Sequence, residues 1–458
     1  MAVDRSQLPP VGADPSFTFP AIVHHTLPNG LRVRAIEHRS VPVITFVLQL
    51  AGGSGSDATG QEGLAALVAD MVDEGTGSLS AIDVSDALAR IGAEYDVDVG
   101  ADATTFTLTT LARFADRGAS LLASLVTAPS MRESDFDRIR QLRLDRLRQL
   151  KDLAPAVAER AFLRLVYGAH AYGHLPIGTD DTLRRLQLAD VVEMHRARFQ
   201  PSAGTLVVTG AMSAADLIEI AGRAFGSWQA AAAGAHVTTG MAVSAEFPDA
   251  SARLAIVPRE GAAQSELRIG HLSARRDTPD YPALLVMNAV LGGQFVSRVN
   301  LKLREEKGYT YGARTGFDWH KGLSPFSLQA SVHTAATAEA IKDSLAELDA
   351  IRGSRPPTHD ELTLAKASLT RGYPRNFETA QQVARAVAQL ALYGLPDSYF
   401  AEFIPKANAV SEAELVQAAA RYLDPHRLTI LIVGDYSSIG ASLETLEMGS
   451  PEVLPVPV

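Results

Sequence analysis

The 458-residue chain contains no cysteine. Disulfides, thiolate metal sites and cysteine nucleophiles are therefore excluded together, although the absence by itself chooses no redox compartment. Basic stripes are equally missing: the net charge of -10 is spread thinly, which argues for solubility and against nucleic-acid binding. No apolar run approaches membrane-spanning length, so no membrane insertion is expected. The opening MAVDRSQLPPVGADPSF carries Asp4 and two prolines where an apolar signal core would lie. If Met1 is the native start, the expectation is a cytoplasmic protein; the alternative is a periplasmic one that has lost a signal peptide. What is present is 47% hydrophobic residues, enough for large cores and more than one domain-sized unit.

The chain repeats itself. Ala197-Arg198-Phe199-Gln200-Pro201 leads into an apolar run ending at Gly210, and Ala420-Arg421-Tyr422-Leu423-Asp424-Pro425 leads into another ending at Gly434. Both read as a helix end, a proline break and a buried strand stopped by glycine, 224 residues apart. In the first half, TLPNGLRVRAIEH predicts two extended segments around a Pro-Asn-Gly turn, and VPVITFVLQLAG and TTFTLTTL predict further strands. GLAALVADMVDEGT, residues 63–76, reads as one amphipathic helix closed by glycine, and Ser80 opens another. ESDFDRIRQLRLDRLRQL and APAVAERAFLRLVYG follow as long helices. In the second half ARLAIVP, SELRIGHLSA and SPFSLQASV predict strands, and DYPALLVMNAVLGG, THDELTLAKASLTRG and AQQVARAVAQLALYG predict helices. The fold class expected is α+β, with two homologous halves, each an antiparallel-rich sheet with helices packed on one face. The divisions expected are a half over 1–229, a linker over 230–250 rich in Ala, Gly, Thr and Ser, and a half over 251–458.

The 63–76 segment has the frame of an inverzincin helix whose ligands are gone. Histidines at Ala66 and Asp70, with glutamate at Ala69, would place two zinc ligands and a water-activating carboxylate on one helix. Alanine can do neither job, and an aspartate alone holds no catalytic zinc. Two other histidine patterns fall away. HAYGH, with His170 and His174 four apart, follows a helix end and reads as a turn, while His24 and His25 on a strand point to opposite faces.

The frame Gly63-Leu64-Ala65…Met71…Gly75-Thr76, the segment LGGQFVSRVNLKLREEKGYTYGA from Leu291 to Ala313 and the duplicated strand endings resemble the pitrilysin/insulinase family of zinc metallopeptidases. The resemblance is to the branch that includes the mitochondrial processing peptidase and its bacterial relatives, and it runs over nearly the whole chain. It implies a clamshell in which two such chains face each other around a chamber, this chain forming one jaw. It also implies a third zinc ligand, a glutamate on a later helix; here the interval from Ser134 to Ala158 contains none. No cofactor is thus expected in this chain, and zinc is expected in a homologous partner carrying H-x-x-E-H.

The resemblance further matches Arg304 and Tyr311, seven apart in LREEKGYTY, to a pair that binds the substrate backbone and the developing oxyanion. A guanidinium fork and a phenol suit that task, since both donate hydrogen bonds to carbonyl oxygens. The bland alternative makes Arg304 a solvated helix residue paired with Glu305 or Glu306, and Tyr311 a core tyrosine. Tyr309 competes with Tyr311 and, on a regular strand, would share its face. Gly292 and Gly293 read as a helix C-cap turn, with a secondary role in admitting peptide. The function expected is that of the non-zinc subunit of a heterodimeric peptidase with peptide substrates; the alternative is a catalytically inactive scaffold of the same family.

Overall fold

The computed structural model describes residues 17–230 and 252–457. The linker expected over 230–250 lies, after its first residue, outside the described residues. Fourteen strands are named in chain order. In the first half these are β1 (Val23–Thr26), β2 (Arg32–Glu37), β3 (Val43–Ala51), the short β4 (Gly75–Thr76) and β5 (Leu79–Ser80), β6 (Glu94–Val99), β7 (Ala103–Leu111) and β8 (Gly204–Gly210). The second half holds β9 (Arg253–Pro258), β10 (Gln264–Leu272), β11 (Thr310–Phe317), β12 (Pro325–His333), β13 (Thr429–Gly434) and β14 (Glu452–Val453).

Two six-stranded sheets result, in the orders β1-β2-β8-β3-β7-β6 and β11-β12-β10-β13-β9-β14. Within them β2-β8-β3-β7-β6 and β9-β13-β10-β12-β11 have the same connectivity and the same strand directions. The first neighbour pair is parallel and the other three are antiparallel in each case. The repeated proline-to-glycine stretches become β8 and β13, each entered through a 3-10 turn and parallel to an early strand of its half, β2 and β9 respectively. The 224-residue echo in sequence is a structural repeat.

The central strands alternate between two cores. Leu206 and Val208 of β8 face the helices of their own half, whereas Val207 between them faces helix Ala380–Tyr393 from the second half. Conversely, Leu431 and Val433 of β13 pack against helix Ala154–Tyr167 of the first half, while Ile430 and Ile432 face their own. The two crossing helices carry apolar residues at three- and four-residue spacing: Val157, Ala158, Ala161, Phe162, Leu165 in one and Ala380, Val383, Ala384, Val387, Ala388 in the other. Each sheet therefore has its own half's helices on one face and a helix lent by the other half on the opposite face. This explains why β3, β8 and β13 are buried almost end to end instead of on alternate residues. Burial of each Val or Leu contributed by a crossing helix is worth about 1.5–3 kcal/mol, so the exchange fastens the halves together.

One element departs from expectation. The 63–76 segment is not a single amphipathic helix: the helix spans Leu64–Met71 only, and every residue in it except Asp70 is buried. It begins from Gly63, whose φ of 97° is left-handed and whose missing Cβ leaves room for the Gly178 Cα. The buried Asp57 carboxylate accepts the N–H groups of Gly63 and Ala65, both at 2.8 Å, in place of a local cap. Gly75 and Thr76 leave the helix altogether and pair as β4 with β5.

Candidate functional site

The helix Leu64–Met71 lies between helix Glu133–Lys151 and β6. Ala66 and Ala69 are buried in it and offer no donor atom. Asp70 is engaged elsewhere, its Oδ2 accepting from Arg143 Nε at 2.7 Å, and Arg143 also donates to the Pro176 carbonyl at 3.3 Å. A guanidinium on the later helix thus supplies the positive charge that Asp70 faces. Among the described residues no group of three His, Cys, Asp or Glu side chains is arranged to hold a metal. The residues at the zinc frame do not fit zinc.

Beside the frame, burial pushes the Asp73 carboxyl up to about 6, with Glu74 and Asp70 adding repulsion. Glu74 is also raised, first by burial, although it pairs with Arg138. Tyr95 of β6 has a buried hydroxyl without a hydrogen-bond partner among the described residues, and burial together with Asp73 raises its pKa. Sequence reading missed Asp73, Tyr95 and Arg143. The alternation in EYDVDV could have revealed β6 and hence the inward side of Tyr95.

The histidine patterns are structural. HAYGH forms a 3-10 turn in which His170 Nδ1 accepts the Tyr172 N–H, and His174 reaches the helix-capping Asp57 at 3.1 Å. His24 and His25 are both exposed on β1, and His24 meets Asp397 at 2.7 Å.

The second-half residues are assembled around one turn. Helix Tyr281–Leu291 ends at Gly292, whose N–H donates to the Asn288 carbonyl. A Cβ on Gly292 would lie 2.4 Å from Thr315 Oγ1 and 2.7 Å from its backbone nitrogen, so only glycine admits β11 this close. The Thr315 N–H in turn donates to the Gly292 carbonyl at 3.0 Å. Gly293 packs against Asn288 in the same turn, as a helix stop.

Arg304 lies in a π-helical turn, Leu301–Glu306, and Tyr311 on β11, the edge strand of its sheet. The Arg304 guanidinium covers the Phe295 ring at 4.4 Å and approaches Glu305 at 3.4 Å, so the pairing foreseen in the bland reading is present. Tyr311, by contrast, is no core tyrosine: it is 89% exposed. Tyr309 does not share its face. Register shifts between Thr310 and Ala313, where Thr310 Oγ1 bonds both to Gly312 and to the Ser331 carbonyl. This bulge turns Tyr309 onto the core and Tyr311 outward. Buried Asn300, which sequence reading missed, holds the arrangement by donating to the Phe295 carbonyl and accepting the Ala313 N–H. Arg298 anchors the start of the turn through two hydrogen bonds to Glu361, at 2.7 and 2.8 Å. Among the described residues neither Arg304 nor Tyr311 makes a hydrogen bond or ion pair to the first half.

On the other face of the first sheet, a cleft of about 490 Å³ opens between β6, β7 and the crossing helix Ala380–Tyr393. Asp96, Asp98, Asp102 and Asp318 give it an acidic lining, and the Asp96–Arg385 ion pair at 2.9 Å bridges the two walls. Asp102 is tied down by the Tyr172 hydroxyl and the Lys321 N–H.

Comparison with known proteins agrees with this anatomy. Residues 32–179 match the family described as insulinase (peptidase family M16), and residues 185–369 match its domain described as the peptidase M16 inactive domain. The chain is 22% identical over 419 residues to an uncharacterized zinc protease of Mycobacterium tuberculosis, covering 90% of this chain and 93% of that one. It is 21% identical over 421 residues to the non-peptidase homolog YmxG of Helicobacter pylori, covering 91% and 94%. A third relative is a probable mitochondrial-processing peptidase subunit beta of Schizosaccharomyces pombe, 21% identical over 58% of each chain. In fold, the chain is similar to a protease from Helicobacter pylori, with a TM-score of 0.84, 21% identity and coverage of 90% and 99%. It is also similar to the peptidase M16 inactive domain from Pseudomonas fluorescens, with a TM-score of 0.80, 22% identity and coverage of 90% and 98%. Two M16 matches side by side, on a duplicated α+β fold whose zinc-frame positions hold no zinc ligands, make this chain a member of the insulinase, or M16, peptidase family.

Proposed function

We propose that this chain is the non-zinc subunit of a two-chain metallopeptidase, paired with a homologous chain that carries H-x-x-E-H and the zinc. The observation that carries the reading is the contrast between the two halves: the zinc frame is filled with alanine and an Arg143–Asp70 pair, whereas Tyr311 stands exposed on an edge strand and Arg304 lies half-buried in the turn before it. Phe295, Val296 and Leu301 are also exposed around them, an apolar surface of the kind that partners cover. In the assembled clamshell this chain is one jaw, and substrate peptide adds as a strand to the partner's sheet. The Tyr311 hydroxyl donates to the oxygen on which negative charge develops, and Arg304 holds a neighbouring carbonyl. Neither can supply the attacking water, which belongs to the partner's zinc.

The test is steady-state cleavage of a fluorogenic peptide by this chain coexpressed with a homologue bearing the intact motif. Tyr311→Phe keeps the ring and removes one hydroxyl, so association persists while kcat falls on the order of 10²–10³, as for other oxyanion donors. Arg304→Lys is also harmful, because a point charge does not reproduce the fork. Tyr309→Phe is the control and changes little. Wild-type turnover in both Tyr311→Phe and Arg304→Lys would leave the second reading, a catalytically silent scaffold. That reading draws its support from the Arg143–Asp70 pair, which closes the zinc frame as a structural element.

A further inference from the structure

Away from the zinc frame and the Arg304 turn, one buried arginine sits in an aromatic setting. Arg276 follows β10 and is only 5% exposed. Its guanidinium carbon lies 3.6 Å from the ring centre of Tyr281, 5.0 Å from that of Tyr399 and 5.5 Å from that of Tyr393. Nη2 donates to the Tyr399 hydroxyl at 3.0 Å, whereas Nη1 is buried without a partner among the described residues. Among the described residues no carboxylate forms an ion pair with it: the nearby acids are engaged, Asp277 with Arg275 and Asp280 with Arg421 and Tyr422. A guanidinium cannot shed its charge, and orphaned buried donors are rare in folded proteins.

Arg276 also forms part of the wall of a pocket of about 450 Å³, within the range that holds small organic ligands. The remaining wall combines aromatic rings, Tyr373, Phe377, Phe400 and Phe403 among them, with a polar side that includes Arg385 and Gln389. We infer that this pocket binds an organic carboxylate with an aromatic or branched apolar body, the carboxylate pairing with Arg276 and the body lying against the aromatic wall. Aromatic faces attract the cation but accept no hydrogen bond at Nη1; a carboxylate oxygen would supply that bond and the missing negative charge together. The pocket's other cation, Arg385, is already ion-paired with Asp96, so Arg276 supplies one uncompensated charge, which suits a monoanion better than a phosphate, whose higher charge recruits several cations. The chemistry is shared by a free acid and by the C-terminus of a peptide. The inference is independent of the peptidase reading, since it uses neither the zinc frame nor Arg304 and Tyr311.

Calorimetric titration of the full chain with N-acetyl-L-phenylalanine and with its amide tests it. The acid should bind at least about tenfold more tightly than the amide, because the charge-assisted bond is lost with the carboxylate. Arg276→Gln should weaken the acid by about ten- to a hundredfold. Ala386→Trp, which fills the pocket from the crossing helix and leaves Arg276 in place, should abolish binding with an unchanged circular-dichroism spectrum; this arm, with the acid–amide comparison on the wild type, holds even if Arg276→Gln fails to fold. A hexapeptide ending in free phenylalanine separates the two sources: its binding assigns a peptide C-terminus, and its failure beside binding of the small acid assigns a free acid. No binding of the small acid at millimolar concentration, equal binding of acid and amide, or an unchanged affinity in Arg276→Gln would overturn the assignment.

Discussion

Replacing Asp73 by asparagine should stabilise the protein at neutral pH and do nothing at pH 4. Asp73 follows the buried helix Leu64–Met71 and lies near Glu74 and Asp70, so its ionised form is unfavourable, and burial first of all raises the carboxyl from an ordinary 3.8 to about 6. Between these two values the native state holds the proton and the unfolded chain does not. Stability contributed by the protonated form is therefore fully present below about pH 4 and is lost as pH rises through about 6. At 1.36 kcal/mol per pH unit, that interval corresponds to about 3 kcal/mol. Residual contact with water reduces the expected effect to about 2 kcal/mol. Asparagine imitates the protonated acid in shape and charge, so Asp73→Asn removes the penalty only where the wild type is ionised. Urea unfolding followed by tryptophan fluorescence provides the assay. Trp228 is buried against the first-half core that includes this helix, and Trp319→Phe silences the only other tryptophan. The stability gain should be about 2 kcal/mol at pH 7.5 and close to zero at pH 4. An equal effect at both values, or destabilisation at pH 7.5, would mean that ionised Asp73 is compensated in the fold and that the reasoning is wrong.

Restoring the motif with Ala66→His, Ala69→Glu and Asp70→His should yield neither one tightly held zinc per chain by mass spectrometry nor robust peptide cleavage. The first two positions are buried and overpack, Arg143 stays beside the third, and beyond its first residue, Glu133, the later helix has no glutamate to complete the set. Glu361→Gln should cost about 2–3 kcal/mol at pH 7 by denaturant unfolding. It removes the counter-charge and one of the two acceptor oxygens from the buried Arg298, which keeps the Arg355 and Pro356 carbonyls. Because Arg298 holds Glu361 down to about 2 from 4.5, the pair's contribution in the wild type is present above about pH 4.5 and fades as pH falls toward 2. Gly292→Ala should cost about 1–3 kcal/mol by driving a methyl into Thr315; hydrogen exchange should rise along β11, and unchanged exchange there would show that the turn does not hold the Tyr311 strand.

The duplication, the strands and most helices could be read from sequence because they rest on local rules. Proline breaks, glycine stops and apolar periodicity act over a few residues and recur at the same spacing in both halves, as Pro201 to Gly210 and Pro425 to Gly434 do. The loss of zinc ligands was equally legible, since Ala66 and Ala69 lack donor atoms in any fold. Other features depend on partners far along the chain. Helix Leu64–Met71 is short and, apart from Asp70, enclosed because Asp57 caps it from outside and packing surrounds it, neither of which its own periodicity encodes. The outward turn of Tyr311 and the inward turn of Tyr309 come from a bulge at Thr310, set by hydrogen bonds to β12 and by Asn300. The exchange of helices Ala154–Tyr167 and Ala380–Tyr393 between halves was invisible for the same reason: an apolar stripe states that a helix must be covered, but not by which sheet. Tertiary structure alone also gathered Arg276, Tyr281, Tyr393 and Tyr399 from segments more than a hundred residues apart. Only there does the desolvation of an unpaired guanidinium become a physical fact.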